Sequence, residues 1–259
     1  MSKVNAVLTK NKESGRGTLV GYYPAGFPSV KDSIESLVAM AKNGCDVLEV
    51  GVPYSDPVMD GLVIQQATEV AISNGFKLSQ LFEVIRGVRE QIETPMLVMS
   101  YWNPVLRYGL ERFSNELKDA GAQGMITPDL IPDEAGEWIR LSEELGLDRV
   151  FLVAPSSSDE RVQNNSEISK GFVYSVSTMG ITGERAKLDQ LARSLVSRVK
   201  STSQTPTCVG VGISTADQVR EVNSYADGAI VGTAFVKAYQ SGGLDALKTK
   251  TQELALGLG

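Results

Sequence analysis

The chain has no histidine in its 259 residues. That absence excludes a Ser-His or Cys-His nucleophile, a His-ligated zinc site and a metal-dependent aldolase built on imidazoles. Acid and base chemistry near neutral pH falls instead to carboxylates, tyrosine, lysine or cysteine, and no metal site is expected. Cysteine is scarce as well. Cys45 and Cys208 stand far apart, form no C-x-x-C, and read as small buried apolar residues beside strands. No apolar run approaches the ~18 residues of a membrane span. The first residues lack the apolar core of a secretory signal and run into Lys10-Asn11-Lys12-Glu13, so a soluble, cytoplasmic protein is expected. Basic blocks are missing too: 25 Lys and Arg face 31 Asp and Glu, a net charge of −6, which argues against nucleic acid or an anionic membrane as partner.

What is present is a regular alternation. Short apolar or β-branched runs at 18–23, 47–51, 96–100, 124–127, 149–153, 172–176, 207–211 and 228–231 read as strands. Stretches with helical spacing follow at 30–42, 63–74, 78–91, 110–120, 133–145, 159–169, 188–199, 215–222 and 244–254. Ser29, Asp159 and Ser214 are placed as helix caps. Eight strands alternating with helices over this length is the pattern of a (β/α)8 TIM barrel. A doubly wound sheet is disfavoured, since no G-x-G-x-x-G opens the first helix and no P-loop occurs. The expectation is one barrel domain over 1–259, capped by extra N-terminal (about 2–13) and C-terminal (from Leu244) helices.

In such a barrel the chemistry sits on loops after the C-terminal ends of the strands, and the unusual residues cluster there. Glu49 lies inside the apolar run Leu48-Glu49-Val50. Alternation puts Val47, Glu49 and Gly51 on one face, with Leu48 and Val50 suited to the barrel-to-helix layer, so Glu49 points into the barrel near its top. An unpaired carboxylate there is costly unless protonated or hydrogen-bonded, which suits a general acid/base. The loop Pro53-Tyr54-Ser55-Asp56-Pro57-Val58-Met59-Asp60-Gly61 follows. Asp60 is the second candidate carboxylate, although an Asp before Gly also serves turns and caps; Asp56 fits turn initiation or a partner-facing role. Gly180 to Gly183, Gly210 to Gly212 and Gly232-Thr233 follow strands 6, 7 and 8, the order in which barrels bind phosphate on backbone N–H groups. A short helix beginning Thr233-Ala234-Phe235-Val236-Lys237 suits that role. Lys170 precedes a strand, at the wrong end for a Schiff base. Residues 178–188 read as a mobile lid or a solvated loop.

These residues resemble the alpha subunit family of tryptophan synthase over essentially the whole chain. The resemblance rests on Glu-Val-Gly-Val-Pro-Tyr-Ser-Asp-Pro-Val-Met-Asp-Gly at 49–61, Gly-Tyr-Tyr-Pro-Ala-Gly-Phe-Pro at 21–28, Pro-Asp-Leu-Ile-Pro-Asp-Glu at 128–134, Met-Gly-Ile-Thr-Gly at 179–183 and Gly-Val-Gly-Ile-Ser at 210–214. It implies retro-aldol cleavage of indole-3-glycerol phosphate to indole and glyceraldehyde 3-phosphate, with no cofactor in this subunit. Glu49 and Asp60 would be catalytic: Glu49 shuttles protons and Asp60 stabilises the indole N–H. Thr182 would bond Asp60 as the lid closes, and Tyr174 would lie near the substrate. The phosphate would rest on Gly183, Gly212, Ile213, Gly232 and Thr233. A beta subunit carrying pyridoxal phosphate would receive indole through a tunnel in an alpha2beta2 assembly, meeting Pro53, Asp56, Asn103 and Asp129. Two departures stand out. Thr233 replaces the Ser of many members and keeps the hydroxyl, whereas Thr178-Met179 replaces an Arg whose lid-closing role does not carry over. The residues alone leave open a stand-alone lyase on the same site and a non-catalytic sensor of a phosphorylated ligand.

Overall fold

The computed structural model describes residues 2–176, 185–210 and 212–259. Nine strands form one parallel sheet: β1 (Leu19–Pro24), β2 (Val47–Gly51), β3 (Met96–Met99), β4 (Gly124–Ile126), β5 (Asp148–Val150), β6 (Leu152–Val153), β7 (Val173–Val176), β8 (Thr207–Gly210) and β9 (Gly228–Val231). Their order is β5-β4-β3-β2-β1-β9-β8-β7-β6. The two ends of that order are the halves of a single run, so the sheet rolls into a barrel and closes on itself. The fifth expected strand, 149–153, is thus divided at Phe151, and the division has a local cause. The Phe151 N–H donates to Ser169 Oγ at 3.2 Å rather than to a neighbouring strand. Its carbonyl still accepts from Tyr174 N at 3.1 Å, which carries the closure across to β7.

Alternation sorts the side chains as expected. Val20, Val47, Leu97, Ile126, Val150, Phe172, Cys208 and Ile230 pack together inside the barrel. Val4 and Leu8 of α1 (Lys3–Glu13) join them, so the N-terminal helix plugs the lower end. Leu48 and Val50 belong to the larger cluster between barrel and helices, where burial of apolar surface supplies most of the stabilisation. Cys45 and Cys208 are free and buried.

The surrounding helices are α2 (Val30–Lys42), α3 (Leu62–Ser73), α4 (Ser79–Arg89), α5 (Trp102–Tyr108), α6 (Leu110–Ala120), α7 (Gly136–Leu145), α8 (Asp159–Ile168), α9 (Arg185–Thr202), α10 (Ala216–Asn223) and α11 (Thr233–Ala255). Ser29 caps α2, its Oγ accepting from Asp32 N at 3.1 Å. Two other caps are displaced by one residue. Ser158 rather than Asp159 accepts from Arg161 N, and Thr215 rather than Ser214 forms a capping box with Gln218. The helix expected from 133 opens as a 3-10 turn (Pro132–Glu134) and becomes α-helical at Gly136. The expected short helix at Thr233 and the one from Leu244 are two limbs of α11, joined across a kink where Gly243 takes φ 64°.

Candidate active site

A cavity of ≈ 170 Å³ opens at the C-terminal ends of the strands. Glu49 from β2, Asp60 from the loop after it, and Tyr174 from β7 line it, together with Gly212, Ile213, Gly232 and Thr233. Met99, Ile126, Leu152 and Ile230 add apolar walls. The rings of two tyrosines approach the backbone closely, and only glycine permits it. A Cβ at Gly51 would sit 2.2 Å from the Tyr22 hydroxyl, and one at Gly210 would sit 2.7 Å from that of Tyr174. Gly212 adopts φ 67°, a region that L side chains rarely enter.

Glu49 is 2% exposed, and its Oε2 has no hydrogen-bond partner among the described residues. Burial, with the nearby charge of Asp60 adding to it, pushes its carboxyl up to about 8. Asp60 is pushed up to about 6 by burial, opposed by a hydrogen bond from Tyr101. That bond runs from the Tyr101 hydroxyl to Asp60 Oδ2 at 3.2 Å, while the same hydroxyl accepts from Met59 N at 2.9 Å. The carboxylate of Asp60 does not cap α3, whose N-cap Gly61 has no side-chain bond. Two carboxyls of one cavity are therefore held at different proton affinities, the condition under which one serves as acid while the other stays ionised.

After β9, Gly232 and Thr233 form the start of α11, where backbone N–H groups without intrahelical partners and the helix dipole favour an anion. Among the described residues no lysine lines the cavity, and no group of three or more His, Cys, Asp or Glu suits a metal ion. Lys170 lies at the lower end, paired with Glu143. The site thus combines an acid/base pair of one buried and one half-buried carboxyl, apolar walls and an anion cradle.

The comparisons with known proteins agree with this arrangement. The family model described as Tryptophan synthase alpha chain matches residues 8–257. The chain belongs to the tryptophan synthase alpha chain family. It is 52% identical over 257 residues to the tryptophan synthase alpha chain of Leifsonia xyli subsp. xyli, covering 99% of this chain and 98% of that one. It is 51% identical over 238 residues to the protein of the same description from Thermobifida fusca, covering 91% and 88%. Among solved structures, it is similar to tryptophan synthase from M. tuberculosis in its aminoacrylate-bound form, with a TM-score of 0.93 and 44% identity over 100% of both chains.

Four further residues expected from the alpha-chain resemblance lie on the rim rather than in the cavity. Asp56 is exposed and accepts from Ser55 Oγ at 2.6 Å. Asn103 Nδ2 donates to the Tyr54 hydroxyl at 3.1 Å. Both carboxylate oxygens of Asp129 accept from Trp102 N, at 2.9 and 3.1 Å, and so hold the start of α5. Pro53 is half-buried. The same rim carries exposed apolar side chains, Val58 and Met59 on the loop after β2, Leu62 on α3 and Leu106 on α5. Thr182, Gly183 and the Thr178-Met179 pair, with the rest of 177–184, lie outside the described residues.

The alpha-chain reading of the sequence passed over two tyrosines. Tyr101 lay in view, directly after a strand, yet only its hydrogen bonds reveal that it holds Asp60. Tyr22 is the register partner of Glu49 and lines the cavity. The two-residue alternation from Val20 was enough to turn it inward.

Proposed function

We propose that this chain cleaves indole-3-glycerol phosphate to indole and glyceraldehyde 3-phosphate, acting as one barrel domain and as the alpha subunit of a two-subunit tryptophan synthase. Near neutral pH Glu49 starts protonated, as burial favours. It delivers that proton to C3 of the indole ring, and positive charge develops at the ring nitrogen. The ionised Asp60 accepts a hydrogen bond from the indole N–H and stabilises that charge. Glu49, now a carboxylate, takes the proton of the glycerol hydroxyl next to the scissile bond. The C–C bond breaks, its electron pair returns to the ring, and the hydroxyl oxygen becomes the aldehyde carbonyl. One proton is given and one taken, so Glu49 ends as it began and no cofactor is consumed.

Tyr174 and the apolar walls flank the indole, and the phosphate rests on backbone N–H groups of Gly212, Ile213, Gly232 and Thr233; as the resemblance implies, Gly183 joins them and Thr182 bonds Asp60. Indole passes to a beta subunit that carries pyridoxal phosphate in an alpha2beta2 assembly. Pro53, Asp56, Asn103 and Asp129 face that subunit. The reaction is cytoplasmic; among the described residues no helix is long and apolar enough to cross a membrane. The observation that supports the reading most is the buried Glu49 carboxyl, its Oε2 unpartnered among the described residues, sharing a cavity with Asp60. The test is indole release from indole-3-glycerol phosphate, with and without a beta subunit. Release that rises when the beta subunit is added is expected; no release in either condition would overturn the proposal.

A further inference from the structure

Tyr22 poses a problem that packing does not answer. It stands on β1 as the register partner of Glu49, is 7% exposed, and lines the cavity. Buried phenols ordinarily find a hydrogen-bond partner. The Tyr22 hydroxyl makes no hydrogen bond among the described residues and opens onto the cavity, whereas Tyr101 spends its hydroxyl on both Asp60 and Met59 N.

The backbone around Tyr22 is cut away to fit it. A Cβ at Gly51 would lie 2.2 Å from the hydroxyl oxygen and 2.5 Å from Cε2 and Cζ, and a Cβ at Gly232 would lie 3.0 Å from Cδ1. These contacts also fix its direction. The base of the ring rests by Gly232, at the anion end of the cavity, and the hydroxyl reaches over Gly51, two residues beyond Glu49 on the same inward face. Two residues along a strand span roughly 7 Å, so the phenol and the Glu49 side chain meet the cavity at neighbouring levels of the inward face. The Tyr174 hydroxyl also faces the cavity and feels the charge of Glu49, but it enters from β7, over Gly210 of β8.

We propose that Tyr22 is a further catalytic residue, donating its phenolic hydrogen bond to the substrate hydroxyl oxygen from which Glu49 takes the proton. This rests on the reading of Glu49 as acid and base of the lyase reaction. As that proton leaves, negative charge grows on the oxygen until the C–C bond breaks and the carbonyl forms. A donor already fixed beside the oxygen stabilises this charge without reorganising. Burial, reinforced by the charges of Asp60 and Glu49, raises the phenol well above its ordinary value, so it remains a neutral donor and never competes for the proton. A phenylalanine would fill the same ring space; the hydroxyl is the part that packing leaves unexplained.

Tyr22→Phe isolates that hydroxyl. With the full chain and its beta subunit, kcat for indole release is expected to fall roughly tenfold or more. Affinity for a substrate analogue that keeps the indole and phosphate but lacks the glycerol hydroxyls is expected to stay within about twofold, which also reports that the variant folds. Tyr22→Leu, which removes the ring as well, is expected to weaken that analogue. An unchanged kcat in Tyr22→Phe overturns the proposal, as does a loss of analogue affinity in proportion to the loss of rate. Failure of the underlying reading looks different: Glu49→Gln would itself keep turning over.

Discussion

The two ends of this barrel treat a buried carboxylate in opposite ways. At the lower end, Asp227 accepts from Lys12 Nζ at 2.8 Å, Thr207 N at 3.0 Å and Lys200 Nζ at 3.4 Å. Burial alone would push its carboxyl up, but these donors outweigh burial and hold it below its ordinary value. Asp46 is tied in the same manner, to Arg16 at 2.6 Å and Leu19 N at 3.0 Å. At the upper end Glu49 is buried more deeply still, yet its Oε2 is unpartnered among the described residues and burial pushes its carboxyl up to about 8. Asp148 stands between these extremes: it lies at the lower end, but its Oδ2 is unpartnered among the described residues and burial raises it to about 6. The lesson is that burial alone does not mark a functional carboxylate. Partners that satisfy it make it a fastener, whereas a missing partner inside a cavity leaves it free to exchange protons.

The comparison breaks most sharply at Glu49. Glu49→Gln should cut indole release by about 10³-fold or more, a steady-state rate that a spectator carboxyl would leave alone. The same variant should be more stable than the parent at alkaline pH. The folded carboxyl titrates above its unfolded value, so its favourable contribution is complete below the unfolded value and disappears as pH rises through about 8. Urea midpoints near pH 9 should therefore favour the glutamine variant by on the order of a few kcal/mol, and the gap should vanish below about pH 5.

Asp227→Ala should do the reverse, costing about 2 kcal/mol near neutral pH while kcat stays unchanged. The figure is modest because Lys12 and Lys200 remain 66% and 36% exposed and recover solvation when the partner goes. Here the folded value is depressed, so the contribution is complete above the unfolded value and fades as pH falls through the folded one. Stability curves of parent and variant should converge in acid.

The smallest effect separates Asp60 from its support. The rate should need ionised Asp60 and protonated Glu49, and so should decline below about 6 and above about 8. Tyr101→Phe removes the hydrogen bond that lowers Asp60 and should move the acid limb upward by about half a pH unit. An acid limb that stays where it was would reduce Tyr101 to a packing residue.

Much of this was legible in the residues, for physical reasons that differ from place to place. The strands announced themselves because parallel strands covered on both faces are short, apolar and separated by helices. Glu49 stood out because nothing but chemistry or a salt bridge recommends a carboxylate between Leu48 and Val50. Tyr22 did not, since in Tyr22-Tyr23 one ring faces the cavity and the other the helix layer, and both resemble core residues. Helix α5 was concealed by Pro104, which reads as a breaker but occupies the first turn, where the missing N–H costs nothing. The kink in α11 at Gly242-Gly243 looked like a loop between two helices. The one-residue displacement of two caps reflects runs such as Ser156-Ser157-Ser158-Asp159 that offer several equivalent acceptors.

A ring of paired strands has no edge to fray, so it must be cut before it can unravel. Here the main-chain ladder is interrupted at Phe151, whose N–H relies on the hydroxyl of Ser169. One side-chain oxygen thus stands where a neighbouring carbonyl would otherwise be, and the stave on either side is only two or three residues long. Cooperative loss of the native state should begin at that clasp, three strands round from Glu49 on β2, so the molecule can loosen its hoop before the ladder that carries that carboxyl gives way.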